Sequence, residues 1–128
     1  MKIKCLIVDD EPLSLDILEK YIHDIPDLEL TDRCLDAFEA MKVLKETSVD
    51  ILFLDINMPK LSGINMVKTM DKLPEVVFTT AYPEYAVEGF ELEVLDYLVK
   101  PISFERFIKT INKAQKKLEN PQNKSTGA

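Results

Sequence analysis

Apolar residues gather in five short runs, at 4–8, 28–34, 51–54, 76–79 and 96–99, each followed by a segment with helical spacing. Short runs rich in Val, Ile, Leu and Phe mark strands buried on both faces. The second run carries Thr31, Asp32 and Arg33, alternates less cleanly, and is expected at a sheet edge. After the first run, Leu13, Ile17, Ile22 and Ile25 are expected to share one helical stripe, with Pro12 at the first helical position. Asp36 and Glu39 have the spacing of a capping box ahead of Ala37, Ala40, Met41 and Leu44. Ile64, Val67 and Met70 make a third stripe, and 85–90 a short, weak helix with Pro83 near its start. Ser103 is placed to cap a last helix with Phe104, Phe107, Ile108, Ile111 and Ala114 on its apolar side and Leu118 extending it.

Five strand–helix alternations predict an α/β domain with a parallel sheet, right-handed crossovers and helices on both faces. In such folds ligands bind beyond the carboxyl ends of the strands, near the switch point in strand order. The domain is expected over 1–119. The polar, aperiodic residues 120–128 read as a flexible tail or the start of a linker.

Composition narrows the function. Of the 128 residues 46% are apolar, enough for an ordinary core, and 16 basic against 23 acidic side chains give a net charge of −7. That balance argues against the segment wrapping nucleic acid, which needs clustered cations, though not against a separate DNA-binding domain. Cys5 and Cys34 both lie in apolar runs and read as buried thiols rather than a disulfide or metal site. No apolar stretch approaches the ~18 residues of a membrane span. Lys2-Ile3-Lys4 leads straight into a strand without a signal peptide, so a cytoplasmic location is expected. His23, on the first helix and away from the strand ends, reads as a surface or partly buried residue.

The strand ends carry the chemistry. The first ends in Asp9-Asp10-Glu11, the third in Asp55-Ile56-Asn57-Met58-Pro59 with Gly63 beyond, the fourth in Thr79-Thr80-Ala81 and the fifth in Lys100-Pro101. Read singly, each has a plainer role: a solvated acidic turn, a turn aspartate, a strand threonine, a surface lysine. Read together, they place several carboxylates, a hydroxyl and an ammonium at one sheet end. Clustered carboxylates repel, and a hard divalent cation such as Mg²⁺ relieves them through oxygen ligands. The cation would also remove the repulsion met by an incoming phosphoryl group, with Lys100 and Thr80 holding its oxygens and Asp55 as nucleophile.

Val8-Asp9-Asp10-Glu11-Pro12, Leu54-Asp55-Ile56-Asn57-Met58-Pro59 with Gly63, Thr80-Ala81 and Asp96-Tyr97-Leu98-Val99-Lys100-Pro101 together resemble the receiver domain of two-component response regulators, from about residue 2 to 118. The resemblance implies a flavodoxin-like, doubly wound (βα)5 fold with strand order 2-1-3-4-5. It makes Asp55 the acceptor of a phosphoryl group from a sensor histidine kinase. Mg²⁺ (or Mn²⁺) would be held by the side chains of Asp10 and Asp55, the backbone carbonyl of Asn57 and, through water, Asp9. Thr80 and Lys100 would hold phosphoryl oxygens, and the Lys100-Pro101 bond would be cis. Thr80 and Tyr97 would form a switch, the ring turning inward as the hydroxyl moves. This would repack the face of the fourth helix, fifth strand and fifth helix, and so promote a homodimer. Tyr97 equally suits a static half-buried aromatic.

Phe78-Thr79-Thr80-Ala81-Tyr82-Pro83-Glu84-Tyr85-Ala86 and Gly89-Phe90-Glu91 resemble the LytR/AlgR subgroup, whose receivers are usually joined to a LytTR DNA-binding domain. The alternatives are a stand-alone or phosphorylation-independent receiver and an aspartate-nucleophile phosphatase of the haloacid dehalogenase class. The latter class carries an acid two residues beyond its nucleophile, where this chain has Asn57, which cannot shuttle a proton. A flavodoxin-like cofactor module would want a Gly-rich phosphate loop, and the chain has three glycines in all.

Overall fold

The computed structural model describes residues 2–84 and 92–119. Within them five parallel strands, β1 (Ile3–Val8), β2 (Leu28–Cys34), β3 (Ile51–Asp55), β4 (Glu75–Thr80) and β5 (Asp96–Val99), form one sheet in the order β2-β1-β3-β4-β5. The doubly wound topology expected from the sequence is the one observed. β3 and β4 are buried along their whole length, which is why they read as unbroken apolar runs. β2 is an edge strand, and its poor alternation has a local cause. The pairing with β1 steps from Cys5↔Leu30 to Leu6↔Asp32, so that Thr31 is the extra residue of a bulge.

Because side chains alternate across a strand, β1 feeds two cores. Cys5 and Ile7 join Phe53, Val77 and Leu98 beneath α1 (Pro12–Asp24) and the C-terminal helix (Phe104–Glu119). Leu6 and Val8 join Leu52, Leu54 and Phe78 beneath α2 (Ala37–Glu46) and α3 (Gly63–Thr69). Cys5 and Cys34 therefore fall in different layers as free buried thiols. Burial pushes both thiol pKa values up to about 12, keeping them protonated.

The helix ends follow their sequence signals. The Asp36 carboxylate accepts from the Glu39 amide at 2.9 Å, while Glu39 accepts from the Leu35 amide at 3.4 Å, one residue before the N-cap. Ser62 caps α3, and Ser103 accepts from the Arg106 amide at the C-terminal helix. The stripe expected on α1 is corrected. Leu15, Leu18 and Ile22 are buried, Ile25 is half-buried, and Leu13 and Ile17 are 76% and 47% exposed. In α3, Met66 is fully buried beside Ile64 although it lies outside the expected stripe. His23 is on the surface, 3.9 Å from Glu19. The helix expected at 85–90, and with it Tyr85, Ala86, Gly89, Phe90 and Glu91, lies outside the described residues, as does the tail.

A polar cluster ties β5 to the C-terminal helix. Arg106 donates to both oxygens of Asp96 at 2.9 Å and to the Tyr97 carbonyl at 3.2 Å, and the Thr110 hydroxyl donates to Asp96 at 2.8 Å. Burial opposes the Asp96 charge, but these donors outweigh it and lower its pKa to about 2. A lowered acid stabilises the fold above the ordinary carboxylate range and loses that stabilisation as pH falls toward 2. Arg106→Ala should therefore cost about 1–3 kcal/mol at pH 7. In urea denaturation the gap to the parent should narrow below pH 4 and close near pH 2.

Candidate functional site

The parallel register brings the ends of β1, β3, β4 and β5 side by side, because Val8 pairs with Leu54, Asp55 with Thr79, and Thr80 with Val99. The chain leaves each of these strands at the same end of the sheet. The acids just beyond β1 and at the end of β3 thus meet there. One oxygen from each of Asp9, Asp10 and Asp55 lies within 4.8 Å of the others; Asp9 and Asp55 are buried and Asp10 is exposed.

Lys100 holds the charge of this cluster. Its Nζ donates to Asp9 Oδ2 at 2.7 Å and stands 3.6 Å from Asp55 Oδ2 and 3.8 Å from Glu11 Oε1. Burial works against the ammonium, yet the bond to Asp9 and the field of Asp55 prevail and raise its pKa. Asp55 is the less comfortable partner. Burial first, then repulsion from Asp9, push its pKa up to about 7 against the pull of Lys100 and the Asn57 amide. Asp9 Oδ1 accepts from the Glu11 amide at 2.9 Å, and Asp55 Oδ1 from the Asn57 amide at 3.3 Å.

The loop after β3 is closed as a small ring. The Ile56 amide donates to the Thr79 carbonyl at 3.0 Å, and the Gly63 amide donates back to the Ile56 carbonyl at 2.9 Å. Lys60 takes a left-handed φ of 71° at the outer bend. The Asn57 backbone lies within this ring.

Thr80 is buried at the end of β4, but its hydroxyl is engaged locally, accepting from the Tyr82 amide at 3.0 Å instead of facing the acids with a bond. Tyr97 is half-buried, its ring tilted against Phe78 at 5.5 Å. The Lys100-Pro101 bond is cis. Asp9, Asp10, Asp55, Asn57, Thr80 and Lys100 thus stand at this end of the sheet, and Tyr97 on the adjoining β5. The Lys100–Asp9 pairing, the reach of Glu11 and the Tyr21 hydroxyl donating to the Ile102 carbonyl at 2.7 Å were not foreseen. No spacing rule links Tyr21 to a residue 81 positions away.

The donor set suits a hard divalent cation: converging carboxylate oxygens, two of them buried, with a backbone loop alongside and no sulfur or imidazole among them. Among the described residues no helix is long and apolar enough to cross a membrane.

Comparison with known proteins agrees with this architecture. Residues 5–112 match the family model described as "Response regulator receiver domain". The chain is 43% identical over 113 residues to the transcriptional regulatory protein BtsR of Salmonella typhimurium, covering 87% of this chain and 47% of that protein. It is 38% identical over 118 residues to an uncharacterized response regulatory protein of Shewanella oneidensis, covering 91% and 50%. The chain spans about half the length of these relatives. Among solved structures, the response regulatory domain of mrkE from Klebsiella pneumoniae superposes with a TM-score of 0.82 at 36% identity, covering 92% of this chain and 99% of that one. The REC domain of AraT from Geobacillus stearothermophilus gives 0.80 at 32%, covering 95% and 99%. The chain belongs to the response regulator receiver domain family, and is the receiver domain of a response regulator.

Proposed function

We propose that Asp55 is the phosphoacceptor of this receiver. The observation that carries the reading is the convergence of Asp9, Asp10 and Asp55 around a lysine that bonds one of them at 2.7 Å. Asp10, Asp55 and the Asn57 carbonyl would hold Mg²⁺, with Asp9 reaching it through water. The cation supplies positive charge that offsets the repulsion between the acids and an incoming phosphoryl group.

The chain's own residues do the rest. Asp55 attacks as the carboxylate, forming an O–P bond as the donor's P–N bond to a histidine of a sensor kinase breaks, and leaves an acyl phosphate. Lys100 neutralises one phosphoryl oxygen. Thr80 exchanges its bond from Tyr82 for another oxygen, and Tyr97 follows as the second part of the switch. Asn57 offers no proton for hydrolysis, so the modification persists as a signal.

A groove of about 280 Å³, lined by Ser14, Ile17, Leu18, Pro101 and Ile102 beside Asp9 and Lys100, has room for one or two side chains of the phosphodonor. Exposed Leu13 and Ile17 offer it apolar contact. The likeness to a transcriptional regulatory protein supports an output on transcription, through a DNA-binding domain of LytTR type outside the 128 residues. The receiver unit itself is assigned to 1–119, the remainder to tail or linker. A homodimer through the β5 and C-terminal helix side would transmit the switch. This chemistry belongs in the cytoplasm, where the kinase's phosphodonor domain is found.

Incubation with acetyl phosphate and Mg²⁺ tests the reading without the kinase. The expected product carries one added phosphoryl group, is lost in hydroxylamine, and does not form when EDTA replaces the cation. A hydroxylamine-stable adduct, or one that forms equally in EDTA, would count against it.

A further inference from the structure

We infer that Gly63 is a positioning residue for the phosphoryl and metal site, because the first turn of α3 rests directly on the Asp55 backbone. A Cβ at Gly63 would lie 2.4 Å from the Asp55 carbonyl oxygen, 3.1 Å from the Asp55 carbonyl carbon and 3.1 Å from Leu54 Cγ. The nearest of these atoms is main chain, so no side-chain rotation relieves the overlap. Either Asp55 or α3 must move, by about 0.6 Å, to reach even the shortest separation that real Cβ atoms tolerate.

Neither can move alone. Asp55 ends β3 paired with Thr79 of β4, directly after Leu54, which pairs with Val8 of β1, and its follower Ile56 is bonded to the Thr79 carbonyl. The Gly63 amide is bonded to the Ile56 carbonyl at 2.9 Å. These bonds close the ring that contains the Asn57 backbone, while Asp55 Oδ1 accepts from the Asn57 amide. A displacement at Gly63 therefore passes into the Asp55 carboxylate and the Asn57 carbonyl together. Both are oxygens assigned to Mg²⁺ above, and the inference rests on that reading. The glycine's φ is not positive, so backbone freedom does not explain its presence. What position 63 requires is the absence of a side chain.

Supporting groups that orient ligands without touching the ion commonly change metal affinity by 10- to 100-fold. Gly63→Ala should accordingly weaken Mg²⁺ binding at least 10-fold, measured by amide shifts in an NMR titration at a temperature where the variant is folded. Ile22→Ala, in the opposite core, supplies a destabilised control that should bind Mg²⁺ as the parent does. If Gly63→Ala needs help to fold, the titrations are repeated on all three proteins in trimethylamine N-oxide. Equal Mg²⁺ affinity in Gly63→Ala and the parent would overturn the positioning role, as would a variant that stays unfolded in the osmolyte. Failure of the parent to bind Mg²⁺ would instead overturn the site assignment.

Discussion

Lys100→Met should lose about 3–5 kcal/mol of stability at pH 8 without divalent cations, the cost of removing one partner from a buried ion pair. Asp9 is fully buried, its Oδ2 accepts from the Lys100 ammonium at 2.7 Å, and Asp55 stands close by. Without the lysine two buried carboxylates face each other uncompensated. The loss should shrink toward pH 5. There Asp55, already raised to about 7 in the parent, is protonated with or without Lys100 and no longer contributes repulsion. Millimolar Mg²⁺ should restore part of the stability by binding the folded form only. Urea denaturation at pH 5 and pH 8, with and without Mg²⁺, checks all three statements. A variant as stable as its parent at pH 8 would show that Lys100 does not hold the acids together.

Asp55→Asn should move stability the other way. A carboxyl whose folded pKa is raised from 3.8 to about 7 binds a proton when folded that it has lost when unfolded, throughout that window. Stability therefore falls as pH rises from about 4 to 7 and stays reduced above. Such a shift is worth at most about 4 kcal/mol. Because Lys100 also loses a partner, the expected net gain is about 1–3 kcal/mol at pH 8. The gain should vanish below pH 4, and added Mg²⁺ should erase it, since the parent gains binding energy that the variant lacks. An Asp55→Asn protein no more stable than its parent at pH 8 in EDTA would mean that the acid cluster is not strained. Acceptor and strain are two aspects of one residue: what makes Asp55 costly to fold makes it responsive to a cation and a phosphoryl group.

Much of this is legible in the amino-acid sequence, for a physical reason. Central strands buried on both faces have no polar side to disguise them, so 4–8, 51–54 and 76–79 come within a residue of β1, β3 and β4. Parallel alternation then fixes which ends meet, and the site follows from topology more than from any single residue. The phase of α1 was not legible. Leu13, Leu15, Ile17, Leu18, Tyr21 and Ile22 spread around the helix and allow more than one apolar stripe. Only packing against the sheet selects Leu15, Leu18 and Ile22. Within the site, the identities were visible but the pairings were not. That Lys100 bonds Asp9 more closely than Asp55 depends on side-chain reach, and that Thr80 bonds the Tyr82 amide depends on a turn. Gly63 was visible as part of a motif, but its contact with the Asp55 carbonyl is a matter of tenths of an ångström.

The phosphoacceptor assignment is tested most directly by locating the adduct. After reaction with acetyl phosphate and Mg²⁺, borohydride reduces an aspartyl phosphate to homoserine, which tandem mass spectrometry can place in the sequence. The expected result is homoserine at position 55 alone, absent from Asp55→Asn treated in the same way. Homoserine at position 9 or 10, or an undiminished adduct on Asp55→Asn, would contradict the assignment.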